Sequence, residues 1–143
     1  MSRKQPQVLL IDDNRHGSIV RRDLLEGKGY LVTTVSSGSA GIRALERGDF
    51  DVVVTDYKMP KMNGRQVMGV IRERHPQVPV VILSGCVEKL GLTDELSQEA
   101  DAVLTKGPSE LSDLLRTVAR LVKRRAAIAR QSSTAANKRR RKA

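Results

Sequence analysis

The sequence has few aromatic residues, a single cysteine and no long apolar run. Aromatic side chains make up 2% of the 143 residues, and tryptophan is absent. With one cysteine, Cys86, an intramolecular disulfide framework is excluded. No stretch is long and apolar enough for a transmembrane helix, and the first residues lack the apolar core of a signal peptide. We therefore expect a cytoplasmic protein that is not transmembrane.

Acidic residues are missing from the end of the chain. Residues 123–143 contain nine of the 26 Lys and Arg and none of the 16 Asp and Glu, which leaves residues 1–122 with 17 basic and 16 acidic residues. The net charge of +10 is thus a property of this terminal segment. We expect an N-terminal extension at 1–6, one domain at 7–122 and a basic extension at 123–143. From residue 131 the composition predicts disorder.

Short apolar runs alternate with longer amphipathic segments. The apolar runs predict five strands, at residues 8–11, 31–35, 51–55, 78–83 and 102–104. The amphipathic segments predict five helices, at about 14–26, 39–47, 65–75, 86–99 and 110–128. Successive strand–helix units predict an α/β, doubly wound fold with one parallel sheet, helices on both faces and strand order 2-1-3-4-5.

Chemically reactive side chains follow four of the five predicted strands. Asp12 and Asp13 follow the first, Asp56 the third, Ser84 the fourth and Lys106 the fifth. We expect these side chains to lie close together, because ligands of such sheets bind beyond the carboxyl ends of the strands.

The three carboxylates predict a bound cation, because neighbouring carboxylates repel one another unless a cation intervenes. Mg²⁺ prefers oxygen ligands and commonly bridges to phosphate. Mg²⁺ and Lys106 would together neutralise an incoming phosphoryl group. A carboxylate can then act as the nucleophile and form an acyl phosphate. Asp56 is favoured for that role, since it stands alone at the end of the central strand.

Four segments resemble the receiver domain of two-component response regulators. They are VLLIDD at 8–13, DYKMPKMNG at 56–64, ILSG at 82–85 and LTK at 104–106. The resemblance covers about residues 7–122 and implies a flavodoxin-like, single-domain phosphoprotein similar to chemotaxis regulators. It also implies a phosphoryl donor, a phosphohistidine on a sensor histidine kinase or a histidine phosphotransfer protein. The protein would be a phospho-acceptor and not an enzyme.

The resemblance implies how Mg²⁺ would be held. Asp13 corresponds to the direct metal ligand, and Asp12 to an acid that acts through water. Asp56 corresponds to the phosphorylation site and is a further metal ligand. The backbone carbonyl of Lys58 would complete the protein's share of the coordination.

The resemblance also implies which residues meet the phosphoryl group. Ser84 corresponds to the switch hydroxyl and Lys106 to the lysine that pairs with the phosphoryl group, while the small Gly85 leaves that group reachable. Lys58 and Cys86 occupy positions that tune the lifetime of the acyl phosphate in this family.

The sequence departs from many receivers at two points. Lys106 is followed by Gly107-Pro108 and not directly by proline, and we expect Lys106 still to reach the site. Val103 stands where many receivers place an aromatic switch residue.

Two alternatives assign the chain to other functional classes. In the first, the receiver is a scaffold and the basic extension binds nucleic acid nonspecifically or an anionic surface. The extension has no aromatic residue for base stacking, and no recognition helix follows the receiver. In the second, Asp56 is a transient nucleophile of a Mg²⁺-dependent phosphatase or transferase. The absence of a cap domain to enclose a substrate argues against this class.

Overall fold

Five parallel strands form the centre of the protein, for which a computed structural model describes residues 5–85 and 98–142. The strands are β1 Gln7–Ile11, β2 Leu31–Val35, β3 Val52–Asp56, β4 Val80–Ser84 and β5 Ala102–Thr105. Their spatial order is β2-β1-β3-β4-β5. This order and the parallel pairing confirm the predicted fold class.

The fourth strand begins two residues later than predicted. The apolar run suggested a start at Val78, whereas β4 begins at Val80. Pro79 has no N–H to donate, and the N–H of Val78 is bonded to the carbonyl of His75 in the preceding turn. The apolar character of Val78 therefore reflects burial in the core and not strand pairing.

Four helices are present in the described residues: α1 Arg15–Glu26, α2 Gly38–Arg47, α3 Gly64–Arg74 and α4 Glu110–Lys142. The predicted helix at 86–99 lies outside the described residues, apart from its last two positions. Asn14, Ser37 and Asn63 cap α1, α2 and α3, each accepting a bond from a backbone N–H of the first turn.

The last helix is longer than predicted. Its backbone continues to Lys142, where the sequence had predicted disorder from residue 131. Beyond Pro108 the chain contains no glycine or proline and is rich in Ala, Arg and Lys, which favour helix. Within the described residues, neither this helix nor any other has an apolar stretch that could span a bilayer.

The core consists of two apolar layers, one on each face of the sheet. Leu9, Ile11 and Val53 point to one face, where residues of α2 and α3 cover them. Val8 and Leu10 point to the other, where α1 and α4 cover them. Both faces are therefore closed by helices, which leaves the carboxyl edge of the sheet for a site.

Asp101, which directly precedes β5, joins α3, β4 and α4. Its carboxylate accepts hydrogen bonds from Arg72 of α3 (2.6 Å), from the N–H of Val80 (2.8 Å) and from Arg124 of α4. Burial alone would raise the pKa of Asp101, but the bonds from Arg72, Val80 and Arg124 outweigh it and lower that pKa below its usual value. The ionised carboxylate therefore stabilises the fold.

We expect Asp101→Asn to lower the free energy of unfolding by about 1 to 3 kcal/mol at pH 7. A lowered folded-state pKa contributes stability above the unfolded value of about 4, and this contribution is lost as pH falls through the folded value. Urea unfolding at pH 7 and at pH 3 measures both effects. Asp23→Asn, at an exposed position, is the control. An unchanged free energy at pH 7 would contradict the structural role of Asp101.

Candidate functional site

Three carboxylates meet at the carboxyl edge of the sheet. Asp12 and Asp13 directly follow β1, and Asp56 is the last residue of the adjacent strand β3. One oxygen from each carboxylate lies within 4.8 Å of the other two. Asp12 and Asp56 are 3% and 2% exposed, while Asp13 is exposed. The structure therefore brings together the acids predicted to hold Mg²⁺.

Lys106 reaches the same cluster. Its Nζ lies 2.7 Å from Oδ1 of Asp56, although Lys106 follows β5, which is separated from β3 by β4. The backbone N–H of Lys106 donates to the carbonyl of Ser84 and thereby anchors the loop. The expectation that Gly107-Pro108 leaves Lys106 within reach of the site is met.

Ser84 and Gly85 stand at the end of β4, between Asp56 and Lys106. Ser84 is buried, and Gly85 is exposed. A Cβ at Gly85 would meet no heavy atom of residues 5–85 and 98–142 within 4 Å. Cys86 lies outside the described residues. The aliphatic Val103, on β5, packs against the core layer beneath α3.

The loop from β3 to α3 is held by a close backbone contact. The N–H of Gly64 donates to the carbonyl of Tyr57 at 2.7 Å. A Cβ at Gly64 would fall 2.5 Å from the carbonyl oxygen of Asp56, so only glycine fits there. Lys58 lies within this loop and its side chain is exposed. The loop therefore keeps the end of β3 in place beside the acids.

Asp56 is held in an electrostatically unfavourable place. Its pKa is raised to about 7, because burial, the largest cause, and the neighbouring Asp12 raise it by more than Lys106 lowers it. Oδ1 of Asp56 is buried, and the Lys106 ammonium lies 2.7 Å from it as an ion-pair partner. A buried carboxylate oxygen of this kind, beside two further acids, fits a hard divalent cation.

Asp12 has partners that sequence reasoning missed. Its Oδ1 accepts from the N–H of Asn14 at 2.8 Å, and its Oδ2 accepts from Arg21 Nη1 at 2.6 Å. Arg21 is buried in α1 and also bonds Glu110 in the first turn of α4. Helical spacing could have predicted that Arg21 is buried, since Arg21 lies on the same buried face of α1 as Ser18 and Leu25.

The family model of the response regulator receiver domain matches residues 8–119. The chain belongs to this family. Over 116 residues it is 35% identical to the response regulator protein FleR of Pseudomonas aeruginosa, covering 80% of this chain and 24% of FleR. This receiver thus spans about a quarter of the length of that relative.

Solved receiver structures have the same fold. A response regulator receiver domain protein from Clostridium thermocellum superposes with a TM-score of 0.78 at 30% identity, covering 86% of this chain and 98% of that one. The response regulator TrrA from Thermotoga maritima, solved in complex with Mg²⁺-BeF, has a TM-score of 0.74 at 24% identity, covering 82% and 99%. The receiver fold is therefore shared over nearly the whole length of those chains.

Proposed function

We propose that this receiver is a phospho-accepting response regulator in which Asp56 takes a phosphoryl group from a phosphohistidine. The observation that carries the proposal is the position of Asp56, buried beside Asp12 and Asp13 and 2.7 Å from the Lys106 ammonium. The donor would be a sensor histidine kinase or a histidine phosphotransfer protein, as family membership implies. The phosphorylated domain would span residues 7–122 in the cytoplasm.

The carboxylates suit different parts of a Mg²⁺ site. Asp13 is exposed and free to turn toward a metal, so it is proposed as a direct ligand together with Asp56 and the Lys58 carbonyl. Both oxygens of Asp12 already accept hydrogen bonds, which favours action through a metal-bound water. When bound, Mg²⁺ supplies positive charge against the phosphoryl oxygens.

Phosphoryl transfer would proceed by in-line displacement. An oxygen of Asp56 attacks phosphorus, the P–N bond to histidine breaks, and the new P–O bond makes an acyl phosphate. The Lys106 ammonium, already beside Asp56, would then pair with a phosphoryl oxygen, and the Ser84 hydroxyl would donate to another. Burial of Asp56 makes these charge interactions stronger than they would be in water. No further reaction is assigned, and the domain acts as a phospho-acceptor.

Output would come from a change of partner binding. An acyl phosphate at Asp56 would bias the loops after β3 and β4 between two arrangements. The side chain of Lys58, exposed in the first of these loops, would adjust the lifetime of the acyl phosphate, and we propose the same for Cys86. The partner would read the surface formed by these loops and the elements beside them.

The alternative built on the basic extension gains no support. Arg124 bonds Asp101, and Arg125 donates to the carbonyl of Phe50 at 2.6 Å. Part of the positive charge therefore fixes α4 against the domain. Binding of nucleic acid or an anionic surface remains a secondary property to test by removing residues 123–143, which would abolish a salt-dependent interaction.

Beryllofluoride, a phosphoryl mimic, tests the proposal. We expect Mg²⁺ and beryllofluoride together to raise the melting temperature by about 10 °C at concentrations 100-fold above Kd, because a ligand that binds only the folded state stabilises it. Asp56→Asn should eliminate the shift. Asp49→Asn, which changes an exposed acid remote from the site, should preserve it. A shift of equal size in Asp56→Asn would refute Asp56 as the acceptor.

A further inference from the structure

Arg21 is a buried cation between the acid cluster and the last helix. Its Nη1 lies 2.6 Å from Oδ2 of Asp12, and its Nη2 and Nε lie 2.7 and 3.0 Å from Oε1 of Glu110. Arg21 and Glu110 are each 7% exposed. A guanidinium held by two carboxylates in a buried place interacts with them far more strongly than a surface pair would.

The backbone of α1 makes room for this arrangement. A Cβ built on Gly17 would fall 2.6 Å from Arg21 Nη1 and 3.3 Å from Oδ2 of Asp12. Any larger residue at position 17 would push the guanidinium away from Asp12. The contact between Arg21 and Asp12 therefore depends on a glycine inside a helix, where glycine is otherwise unfavourable.

We infer that Arg21 is a positioning residue that keeps the Asp12 carboxylate in an ion pair until Mg²⁺ binds. Glu110 sets the strength of the ion pair between Arg21 and Asp12. The inference rests on the proposed Mg²⁺ site. A metal at the cluster must compete with the guanidinium for the negative charge of Asp12. Glu110 draws Arg21 in the opposite direction, so its carboxylate weakens the hold of Arg21 on Asp12.

The same contact joins the site to α4. Glu110 lies in the first turn of α4, and its N–H donates to the carbonyl of Gly107 in the loop that carries Lys106. By linkage, if Glu110 changes the affinity of the cluster for Mg²⁺, bound Mg²⁺ must change the interaction of Arg21 with Glu110 by the same factor. The start of α4 would therefore respond to occupancy of the site.

Two variants should change Mg²⁺ affinity in opposite directions. Glu110→Gln leaves Asp12 as the sole charged partner of Arg21, and we expect Mg²⁺ binding about three- to tenfold weaker. The double variant Arg21→Gln with Glu110→Gln keeps the net charge unchanged but removes the cation beside Asp12. Its Mg²⁺ binding should be about three- to tenfold tighter. Isothermal titration calorimetry of the full chain with Mg²⁺ alone gives both dissociation constants.

Exposed charges of the same helix provide matched controls. Asp113 and Arg116 form an ion pair in α4, and Asp113→Asn and the double variant Asp113→Asn with Arg116→Gln repeat both charge changes away from Arg21. Both should leave Mg²⁺ affinity within twofold of the unaltered protein. Gly17→Ala, which displaces Arg21 by sterics and not by charge, should tighten Mg²⁺ binding in the same direction as the double variant.

The outcomes separate this inference from the proposed function. Opposite shifts for Glu110→Gln and the double variant, with unchanged controls, would support it. Mg²⁺ binding that is equal in all variants would overturn the role of Arg21 and leave the metal site intact. If the unaltered protein bound no Mg²⁺, both the metal site and the inference would be wrong.

Discussion

Asp56→Asn is expected to raise the free energy of unfolding of the metal-free protein, by on the order of 2 kcal/mol at pH 8. The Asp56 carboxylate is buried beside Asp12, and its pKa is raised to about 7, mainly by burial. Asparagine has nearly the same shape and no charge, so it removes the repulsion. Lys106 loses its partner but is partly exposed, so water can solvate its ammonium.

The increase in the free energy of unfolding that Asp56→Asn causes should depend on pH. The folded-state pKa of Asp56 lies above the usual value, so its protonated form stabilises the fold. That contribution is complete below about pH 4 and is lost as pH rises through about 7. The difference between the unaltered protein and Asp56→Asn should thus be small at pH 4 and largest at pH 8.

Urea unfolding in the presence of a chelator measures this difference, with Asp49→Asn, at an exposed position remote from the acid cluster, as the control. Excess Mg²⁺ should then reverse the order, because the metal stabilises only the protein that retains Asp56. A lower free energy of unfolding for Asp56→Asn at pH 8 without metal would show that the ion pair with Lys106 outweighs burial.

Gly64→Ala is expected to be among the most damaging single-methyl changes in this chain, costing about 2 to 4 kcal/mol of stability. The new Cβ would fall 2.5 Å from the carbonyl oxygen of Asp56 and 2.9 Å from Cα of Tyr57. Both atoms belong to the backbone and cannot rotate away, so the start of α3 or the end of β3 must move. Movement of β3 would displace Asp56, and Mg²⁺ and beryllofluoride binding should weaken as well.

Gly69 offers a matched control within the same helix. A Cβ at Gly69 would meet no atom of the part of the chain that the structure describes within 4 Å, so Gly69→Ala should raise stability by about 0.5 to 1 kcal/mol through helix propensity. Urea unfolding of Gly64→Ala and Gly69→Ala compares how the same added methyl group changes the free energy of unfolding at a crowded and at an open position. Equal effects at positions 64 and 69 would show that the backbone contact of Gly64 is unimportant.

Local signals explain which predictions agree with the structure. The strand at 31–35 has the predicted ends, because its β-branched run is bounded by turn residues on both sides. The cap at Asn14 was readable because a short polar side chain precedes an amphipathic segment. The cap of α2 is Ser37, whose hydroxyl oxygen accepts a hydrogen bond from the N–H of Ala40.

The fold class and the residues at the strand ends could be predicted from the amino-acid sequence. Apolar runs and amphipathic spacing are local, and parallel strands necessarily bring their carboxyl ends to one edge, so Asp12, Asp13 and Asp56 could be grouped without coordinates. Lys106 was expected to reach the site although Gly107-Pro108 follows it. The 2.7 Å distance between its Nζ and Oδ1 of Asp56 became measurable only in the structure.

The ion pairs of Arg21 with Asp12 and Glu110 could not be predicted from the sequence. Arg21 and Glu110 are 89 positions apart, and each has the helix-surface character that sequence reasoning assigns to solvent. Their meeting depends on how α1 and α4 pack on the same face of the sheet. The burial that raises the pKa of Asp56 has the same origin. Such contacts depend on distances between elements, which no local pattern along the chain encodes.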